Sequence, residues 1–316
     1  MTGPVGAPDR ATLTAFMGAV LIGGNNFIAV KFSNEELEPM YGASLRFAAA
    51  TLLFLAIARL RKLPLPRGHA AFGASLYGLL GFGVSYAFLY YALTGLSAGT
   101  SSVIVASVPL MTLVLAVVHR QERFSTRGVI GGLLAIGGIG LISADTIGGN
   151  LRPIYLVAAL FGAMAIAESS VVIKGFPRFD PVTTNAIGMG VGTIFLVIAS
   201  LAFGEEWIVP QAGKTWLSLA WLVVAGSVGL FMLYLYVIAR WTASATNYAV
   251  TMMPVVAVTV GILIADEVFS WGVVAGGALV IAAVYVGALS GARAPQPTAS
   301  PESVVVGSET APETSS

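Results

Sequence analysis

The sequence predicts an all-α integral membrane protein whose ten transmembrane helices form two inverted five-helix repeats. Composition is the first observation behind this prediction, because 57% of the 316 residues are hydrophobic and only 10% are charged. Soluble domains carry about 25% charged residues, and the mean hydropathy of this chain is +0.87. The other two observations are a series of long apolar runs and an internal match between the two halves of the chain.

The apolar runs give the number of membrane spans. A hydrocarbon core about 30 Å thick requires roughly 20 apolar residues per helix. Ten such runs cover residues 12–31, 40–60, 70–92, 98–119, 127–144, 152–173, 182–203, 214–239, 244–265 and 271–290. A transmembrane barrel would show short alternating segments instead of continuous runs, so the spans are predicted to be helices.

The segments outside these runs predict two tails. Residues 1–11 form a short N-terminal tail, and residues 291–316 are rich in Pro, Ser and Thr, a composition that cannot bury a core. We expect the second tail to be disordered, which leaves repeats at residues 12–145 and 151–290. The first apolar run is too long for a cleaved signal peptide and becomes polar toward its end.

Basic residues are distributed unequally between the two sides of the predicted membrane. If the N-terminus is cytoplasmic, the inner segments contain Arg10, Arg59, Arg61, Lys62, Arg67, Arg120, Arg123, Arg127, Lys174, Arg178, Arg240 and Arg293. The outer segments contain only Lys31, Arg152 and Lys214. By the positive-inside rule, both termini are expected in the cytoplasm, with the protein in the inner (plasma) membrane.

An internal repeat relates the two halves. Residues 91–142 align without a gap to residues 236–287 at a constant offset of 145. The alignment pairs Pro109 with Pro254, Glu122 with Glu267, Phe124 with Phe269, Ser125 with Ser270, and Gly131–Gly132 with Gly276–Gly277. Because each half has an odd number of spans, the second copy must enter the membrane from the opposite side.

The first helices of the two halves match more weakly, and the charges support the inversion. Lys31 aligns with Lys174 at an offset of 143, and Glu38–Pro39 with Asp180–Pro181 at an offset of 142. Three arginines of an inner turn in the first half, Arg120, Arg123 and Arg127, become Ala265, Val268 and Gly272 in the second. That turn has lost its positive charge, as expected if it faces outside.

Three motifs in this pattern resemble the EamA-type branch of the drug/metabolite transporter superfamily. They are Asn-Phe-x-Ala-x-Lys at residues 26–31, Pro39 followed by Leu-Arg-Phe at residues 45–47, and the Pro, Glu and Gly-Gly of the repeat. The resemblance covers about residues 12–290. It implies ten helices in two inverted repeats and a central cavity that holds a small organic solute and opens alternately to each side. One departure is Gly188 at the position of Arg46, so the role of this arginine is not duplicated.

Polar groups inside the first two helices are the main functional candidates. An unpaired arginine at the centre of a lone membrane helix costs roughly 2.5–3.5 kcal/mol, so Arg46 should face protein or water. Asn25 and Asn26 lie at a similar depth on the preceding helix. We expect these three residues to line the outer half of the pathway, with Arg46 binding a carboxylate or holding a gate. The alternatives are that Arg46 pairs with Glu35, Glu36 or Glu38, and that the asparagines join helices.

Glu168 is the acidic residue that the sequence places well inside the membrane. It occupies the repeat position of Asn25, and poor solvation would favour its protonated form. It is therefore a candidate for proton exchange or for binding a substrate ammonium, with a structural hydrogen bond as the alternative. Further candidates for substrate binding are Tyr86, Ser102, Ser169, Tyr234, Asn247 and Tyr248. Pro109 and Pro254, in mid-helix, are expected to form paired kinks that gate the cavity or only shape the bundle.

These features favour a secondary transporter of a small metabolite, with amino acid export by alternating access as the preferred hypothesis. A multidrug or nucleoside exporter is the rival within the same class, and a channel is the rival of another class. The absence of cysteine, the two histidines at helix ends and the lack of a P-loop argue against an enzyme and against ATP-driven pumping. We expect no cofactor, no metal site and no nucleic-acid partner. The expected partners are a small-molecule substrate and the lipid bilayer, with the proton as a candidate coupling ion. A monomer is compatible with the sequence.

Overall fold

A computed structural model of the protein describes residues 9–120, 126–147, 152–177, 179–238, 243–266 and 270–286. Over these residues the chain is helical, with one helix at each of the ten predicted spans. In chain order they are α1 (Arg10–Ser33), α2 (Pro39–Leu60), α3 (Gly68–Gly78, Leu79–Val84 and Ser85–Ala92), α4 (Ala98–Val105 and Val108–Val118), α5 (Thr126–Ile147), α6 (Pro153–Lys174), α7 (Pro181–Phe203), α8 (Gly213–Val223, Val224–Gly229 and Leu230–Ile238), α9 (Ala243–Ile264) and α10 (Trp271–Val284). The predicted fold class is confirmed.

Length and surface both fit a bilayer. Within the described residues, seven helices are long and apolar enough to cross a membrane. Large apolar side chains point outward along them, including Leu52, Leu60, Ile194, Leu201, Phe203 and Leu217. Helices satisfy their own backbone hydrogen bonds, which is the condition for exposing such surfaces to lipid. The protein is therefore a multi-pass membrane protein.

Local sequence determines where the equivalent helices α2 and α7 begin. Pro39 and Pro181 lie in the first turns of these helices, where a missing N–H is no loss and the fixed φ suits a helix. The acidic residue before each proline, Glu38 or Asp180, is the N-cap. The weaker part of the repeat alignment therefore joins equivalent helix starts, of which only Asp180 caps with its side chain, by accepting from the N–H of Val182.

Helices α3 and α8 each contain one π-helical turn, and the two turns are equivalent by the repeat. They cover Leu79–Val84 and Val224–Gly229, which differ by the same offset of 145. π turns are rare, and their N–H groups bond five residues back instead of four. A shared position for such an unusual feature supports the internal repeat independently of residue identity.

Helix packing follows the repeat as well. α2 packs along α7 and α5 along α10, so equivalent helices contact each other. α1 packs against α8 and α9 of the second half, and its counterpart α6 packs against α3 and α4 of the first. Each half therefore exchanges its first helix with the other half.

The direction of α2 and α7 shows that the repeat is inverted. Near the start of α2, the N–H of Met40 donates to Glu205, just beyond the end of α7, at 3.0 Å. Further along α2, Thr51 lies against Gly190, which comes earlier in α7. Equivalent helices that run antiparallel relate the halves by a pseudo-two-fold axis in the membrane plane. The predicted tails lie outside the described residues except for residues 9–11, and so do Glu122 and Glu267.

A close backbone approach between the halves predicts where added volume is not tolerated. A Cβ atom at Gly78 of α3 would lie 2.2 Å from the carbonyl oxygen of Gly188 in α7, and backbone atoms cannot move aside cheaply. We expect Gly78→Ala to cost about 1–3 kcal/mol of stability. Gly132→Ala on α5 is the matched control, because nothing lies within 4 Å of a Cβ there. Unfolding temperatures of the purified variants in detergent test this, and equal values would contradict the packing described.

Candidate functional site

A cavity of about 180 Å³ lies at the seam between the two halves. Its wall contains residues of α1, α2, α3, α4, α6, α8 and α9, and most of its surface is apolar. Four polar side chains interrupt this apolar wall: Asn26, Arg46, Tyr86 and Tyr90. The cavity therefore combines a small volume, an apolar wall and one cationic group.

Arg46 is the central polar group of this site and is only 1% exposed. Its Nε donates to Ser227 Oγ at 2.9 Å, and its Nη2 donates to the carbonyl oxygen of Gly226 at 3.0 Å. Nη1 makes a longer contact of 3.4 Å with the Tyr90 hydroxyl. The guanidinium also lies 5.2 Å from the centre of the Tyr86 ring, within range of a cation–π interaction.

The π turn in α8 makes this arrangement possible. The N–H of Leu230 donates to the carbonyls of Ala225 and Ser227 and passes over Gly226, which would be its partner in an α-helix. The Gly226 carbonyl instead accepts from the guanidinium and, at 3.2 Å, from Nδ2 of Asn26. A change in backbone hydrogen bonding thus supplies the acceptor that a buried cation needs.

Glycine at position 226 leaves room for the Asn26 side chain. A Cβ atom there would lie 2.3 Å from Asn26 Oδ1, so Asn26 would have to move away from the Gly226 carbonyl. This Oδ1 atom is buried and has no hydrogen-bond partner among the described residues. Arg46 has five N–H donors; the bonds above use three, and the Tyr86 hydroxyl is a further partner of the guanidinium. An unsatisfied acceptor on α1 and the cationic group on α2 therefore lie together at the cavity wall.

The equivalent seam between α7 and α3 is closed by packing instead. Gly188 stands at the repeat position of Arg46, and Phe82 stands at the position of Ser227. Phe82 is 2% exposed and lies against Gly188, where a Cβ atom would be 3.4 Å from its ring. The large residue is on α2 at one seam and on α3 at the other. Equivalent backbone interfaces therefore form a polar contact through Arg46 and an aromatic packing contact through Phe82.

At the end of the bundle where α2 begins, Glu205 connects the second half to the first. Its carboxylate accepts from the backbone N–H groups of Met40 and Tyr41 at 3.0 and 2.8 Å. These amides lie in the first turn of α2, where an anion is favoured by the helix dipole. Trp207 stacks on Tyr41 with ring centres 5.1 Å apart, which extends the contact.

Glu36 makes a second connection at the same end. Its carboxylate accepts hydrogen bonds from the hydroxyl of Thr215 and, at 3.1 Å, from the N–H groups of Gln211 and Ala212. The bond from Thr215 is the main cause that holds the pKa of Glu36 below its ordinary value of 4.5. The loop before α2 is thus fastened to the loop before α8.

These contacts correct the alternative in which a nearby glutamate neutralises Arg46. Glu36 binds the loop before α8, and Glu35 pairs with Lys214 at 2.7 Å, an exposed ion pair that adds little stability. Among the residues that the structure describes, no carboxylate contacts the guanidinium. Arg46 is stabilised by neutral acceptors and by aromatic rings.

Glu168 lies apart from the cavity. Its Oε1 is 2.9 Å from Nε2 of His119, at the end of α4. Its Oε2 is buried and has no hydrogen-bond partner within the described part of the chain. The only polar contact that the structure shows for this carboxylate is with an imidazole that the sequence places at a helix end.

The EamA-like transporter family matches residues 10–144 and again residues 153–288, which together span nearly the whole chain. The chain belongs to the EamA-like transporter family. An uncharacterized inner membrane transporter of Escherichia coli K12, YedA, is 31% identical over 260 residues, covering 81% of this chain and 83% of YedA. An uncharacterized transporter of Archaeoglobus fulgidus is 29% identical over 83% of this chain and 93% of its own length. A solved crystal structure matches the fold with a TM-score of 0.63 at 18% identity, over 90% of this chain and 98% of its own.

The resemblance inferred from the motifs is therefore confirmed. In this EamA-family chain, some of the site residues predicted from the sequence lie in one cavity. Asn26, Arg46 and Tyr86 line it together. Three other candidates bond to carbonyls of their own helices: Asn25 to Leu21, Ser102 to Gly99 and Ser169 to Ile166. Tyr234 lies on α8 outside this lining, and the side chains of Asn247 and Tyr248 lie outside the described residues.

The two candidate prolines have different surroundings. Helix α4 is interrupted between Val105 and Val108, and Pro109 lies in the first turn of the second segment. Pro254 lies inside α9, which continues through it. The two prolines expected to form paired kinks therefore lie in different settings. Pro109 follows a break in its helix, whereas the helix that contains Pro254 is unbroken.

Sequence reasoning did not select Tyr90, Gly226 or Ser227 for the site. Tyr90 lies one turn after Tyr86 on the same face of α3, so helical spacing could have indicated it. Gly226 is shared with Gly81 at the repeat offset of 145, and this shared glycine was the available signal for a special backbone position. Ser227 differs from its counterpart, Phe82, and carried no such signal.

The contact of Glu36 with Thr215 predicts a pH-dependent contribution to stability. Because the pKa is lowered in the folded protein, this contribution is complete above pH 4.5 and is lost as the pH falls through the folded-state pKa. We expect Glu36→Gln to lower the unfolding temperature at pH 7 and to match the wild type near the acid limit. Glu38→Gln is the control, since Glu38 is exposed and makes no side-chain cap bond. A constant difference between wild type and Glu36→Gln at all pH values would contradict this account.

Proposed function

We propose that this protein is a secondary transporter that exports a neutral amino acid with an apolar side chain by alternating access of the central cavity. It acts in the inner (plasma) membrane with both termini in the cytoplasm. Membership of the EamA-like family supports transport, and the geometry of the cavity supports the substrate class.

The observation that carries the substrate class is that Arg46 and Asn26, whose Oδ1 has no hydrogen-bond partner, lie side by side in the wall of one apolar cavity. The cationic group matches a carboxylate, which is the ligand that guanidinium binds best. The amide oxygen accepts a hydrogen bond from an ammonium group. The apolar remainder of the wall, including Phe27 and Leu89, then surrounds the side chain of the amino acid.

Cavity size supports an amino acid over the rival multidrug or nucleoside substrate. A volume of about 180 Å³ equals roughly six waters at ~30 Å³ each. Sites for drug-sized ligands usually occupy about 300–1,000 Å³. Tyr86, Tyr90 and Phe27 provide aromatic surface that suits a larger ligand, so binding of a nucleoside or a planar dye is the specific outcome that would favour the rival.

Orientation and direction are parts of the same proposal. The excess of basic residues on one side supports cytoplasmic termini, and the Escherichia coli relative is an inner membrane transporter by its name. Export is the direction that the family resemblance implies. Because the chain has no cysteine, single cysteines at Thr2 and Ser316 can be labelled without a background, and both are expected to react only after the cytoplasmic side is opened.

Counterflow in proteoliposomes is the experiment that tests the function. Vesicles loaded with unlabelled L-leucine should accumulate external labelled L-leucine transiently, because a carrier exchanges substrate across the membrane. A channel would instead give flux that does not saturate and no transient accumulation, because it does not couple the movement of one leucine molecule to that of another. In parallel, L-leucine at a hundredfold excess over its dissociation constant should stabilise the purified protein by about 2.7 kcal/mol, whereas L-lysine, L-aspartate and adenosine should not. Stabilisation by adenosine alone would replace this proposal with the nucleoside alternative.

Replacing Arg46 with lysine separates the guanidinium from its charge. Lysine keeps the positive charge but cannot bond to Ser227, Gly226 and a carboxylate in the same fixed geometry. A hydrogen bond to a charged group contributes about 1.5–3 kcal/mol, so we expect leucine binding to weaken at least about tenfold. Arg59→Lys, an exposed position near the end of the same helix, is the matched control and should bind leucine normally. Leucine affinity is measured by thermal shift on both variants, and unchanged binding in Arg46→Lys would exclude the proposed carboxylate site.

A further inference from the structure

The contact between His119 and Glu168 is a second polar site, distinct from the substrate cavity. Nε2 of His119 and Oε1 of Glu168 are 2.9 Å apart, and their side chains are 40% and 25% exposed. The other carboxylate oxygen, Oε2, is buried and unpartnered within the described residues. One oxygen of the carboxylate thus faces a partly solvated imidazole, and the other faces the protein interior.

The repeat does not duplicate this pair. At the offsets that relate the two halves, the counterpart of His119 is Ile264 and the counterpart of Glu168 is Asn25. Neither an isoleucine nor an asparagine side chain gains or loses a proton in the physiological range, and Asn25 bonds to the carbonyl of Leu21 in its own helix. A titratable pair therefore exists at one end of the bundle and not at the pseudo-symmetric position of the other end.

Both helices of the pair also form part of the cavity wall. The segment of α4 that ends beside His119 begins at Val108, after the break at residues 106–107, and Val108 lines the cavity. On α6, Ile166 lines the cavity two residues before Glu168. Val108 and His119 are 11 residues apart, about 16 Å along a helix at ~1.5 Å per residue. The pair does not touch a solute in the cavity, but it is connected to the cavity by two short helical segments.

We propose that Glu168 is the proton-binding site that couples transport to proton movement, and that His119 passes this proton to the cytoplasmic solution. This inference rests on the proposed function. When the cavity opens outward, Oε2 takes up one proton and the carboxylate becomes a neutral carboxylic acid. When the cavity opens inward, the carboxyl group turns so that its protonated oxygen faces His119, and the proton moves to Nε2 and then to water, which restores the anion. One proton enters the cell for each substrate that leaves, and no other bond forms or breaks.

The chemistry of the pair selects a proton over a metal ion. No group of three or more His, Cys, Asp or Glu side chains that could hold a metal occurs among the described residues. Imidazole is the side chain whose charge changes most readily near neutral pH. Two titratable groups that leave one buried oxygen free are suited to binding a proton.

Other ionisable side chains near this pair bond elsewhere or face solvent. α6 packs against α3 and α4. The ionisable side chains that the structure describes near this end of these helices include His69 and Tyr77 on α3, Arg120 after α4 and Lys174 on α6. None of these bonds to Glu168: the Tyr77 hydroxyl donates to Asn185 at 3.5 Å, and His69 lies against Phe176 with ring centres 5.4 Å apart. Arg120 and Lys174 are exposed, so solvent screens their effect on the carboxylate.

A spectroscopic experiment tests proton binding without any substrate. Infrared difference spectra of the purified protein between pH 8 and pH 5 should show the carbonyl stretch of a protonated carboxyl group. Glu168→Gln should abolish this band, and His119→Asn should change its pH dependence. His69→Asn, at the other histidine, is the matched control and should leave the band unchanged. A band that persists in Glu168→Gln, or that is absent from the wild type, would overturn the proposal.

A transport experiment tests coupling. Proteoliposomes that contain L-leucine and the pH dye pyranine are placed in leucine-free buffer of the same pH, so that leucine efflux should acidify the lumen of wild-type vesicles. Glu168→Gln should lose at least nine tenths of this acidification while leucine counterflow continues. Acidification equal to wild type in Glu168→Gln, or loss of counterflow together with acidification, would show that Glu168 is not the coupling site. Absence of leucine counterflow from the wild type would contradict the proposed substrate, and the infrared result would still decide whether Glu168 binds the proton.

Discussion

A buried guanidinium in a membrane must find its acceptors within the protein, and the remainder of this site depends on how Arg46 meets that requirement. No water is available in the hydrocarbon core, so an unsatisfied charge there is costly. The π turn of α8 has the opposite need, for a donor, because the Gly226 carbonyl does not accept a hydrogen bond from the Leu230 amide. Arg46 and Asn26 donate to that carbonyl. The cation and the irregular backbone therefore stabilise each other, which explains why a buried arginine here needs no carboxylate partner.

The sequence was sufficient for the features that extend over many residues and insufficient for those that depend on one turn. Long apolar runs and a gapless repeat predicted ten helices in two inverted copies, because lipid imposes length and hydrophobicity on every span. Arg46, Asn26 and Tyr86 were also predictable, since polar groups in an apolar helix stand out. The π turns were not, because one extra residue in a helical turn leaves composition unchanged. Their consequences, the Gly226 carbonyl and the Ser227 contact, were therefore missed. Glu168 was predicted to be poorly solvated, but its partner His119 is distant in sequence and was treated as a helix-end residue.

The inverted repeat provides equivalent backbones, and the substitutions between the halves make the two ends different. Arg46 with Ser227 on one seam corresponds to Gly188 with Phe82 on the other. At the ends of the bundle, the Lys214 ammonium lies 3.6 Å from the centre of the Phe32 ring, whereas His69 and Phe176, at nearly equivalent positions, form a contact between two rings. A symmetric backbone allows both halves to adopt both arrangements, and asymmetric side chains determine which end is polar, charged or titratable.

Alternating access requires that the contacts closing one end be weak enough for a ligand to release. The end of the bundle where α2 begins satisfies this condition, because Glu36 and Glu205 hold the two halves through hydrogen bonds near solvent, and the ion pair of Glu35 with Lys214 is exposed. The Gly78 contact with Gly188 is of another kind, since backbone touches backbone and leaves no adjustable side chain. Bonds that water can replace cost little to open, whereas close backbone packing has no substitute in lipid. In the proposed transport cycle, the α3–α7 seam is therefore the rigid element about which the loops at this end, the Arg46 contact and the segment of α4 beyond its break rearrange.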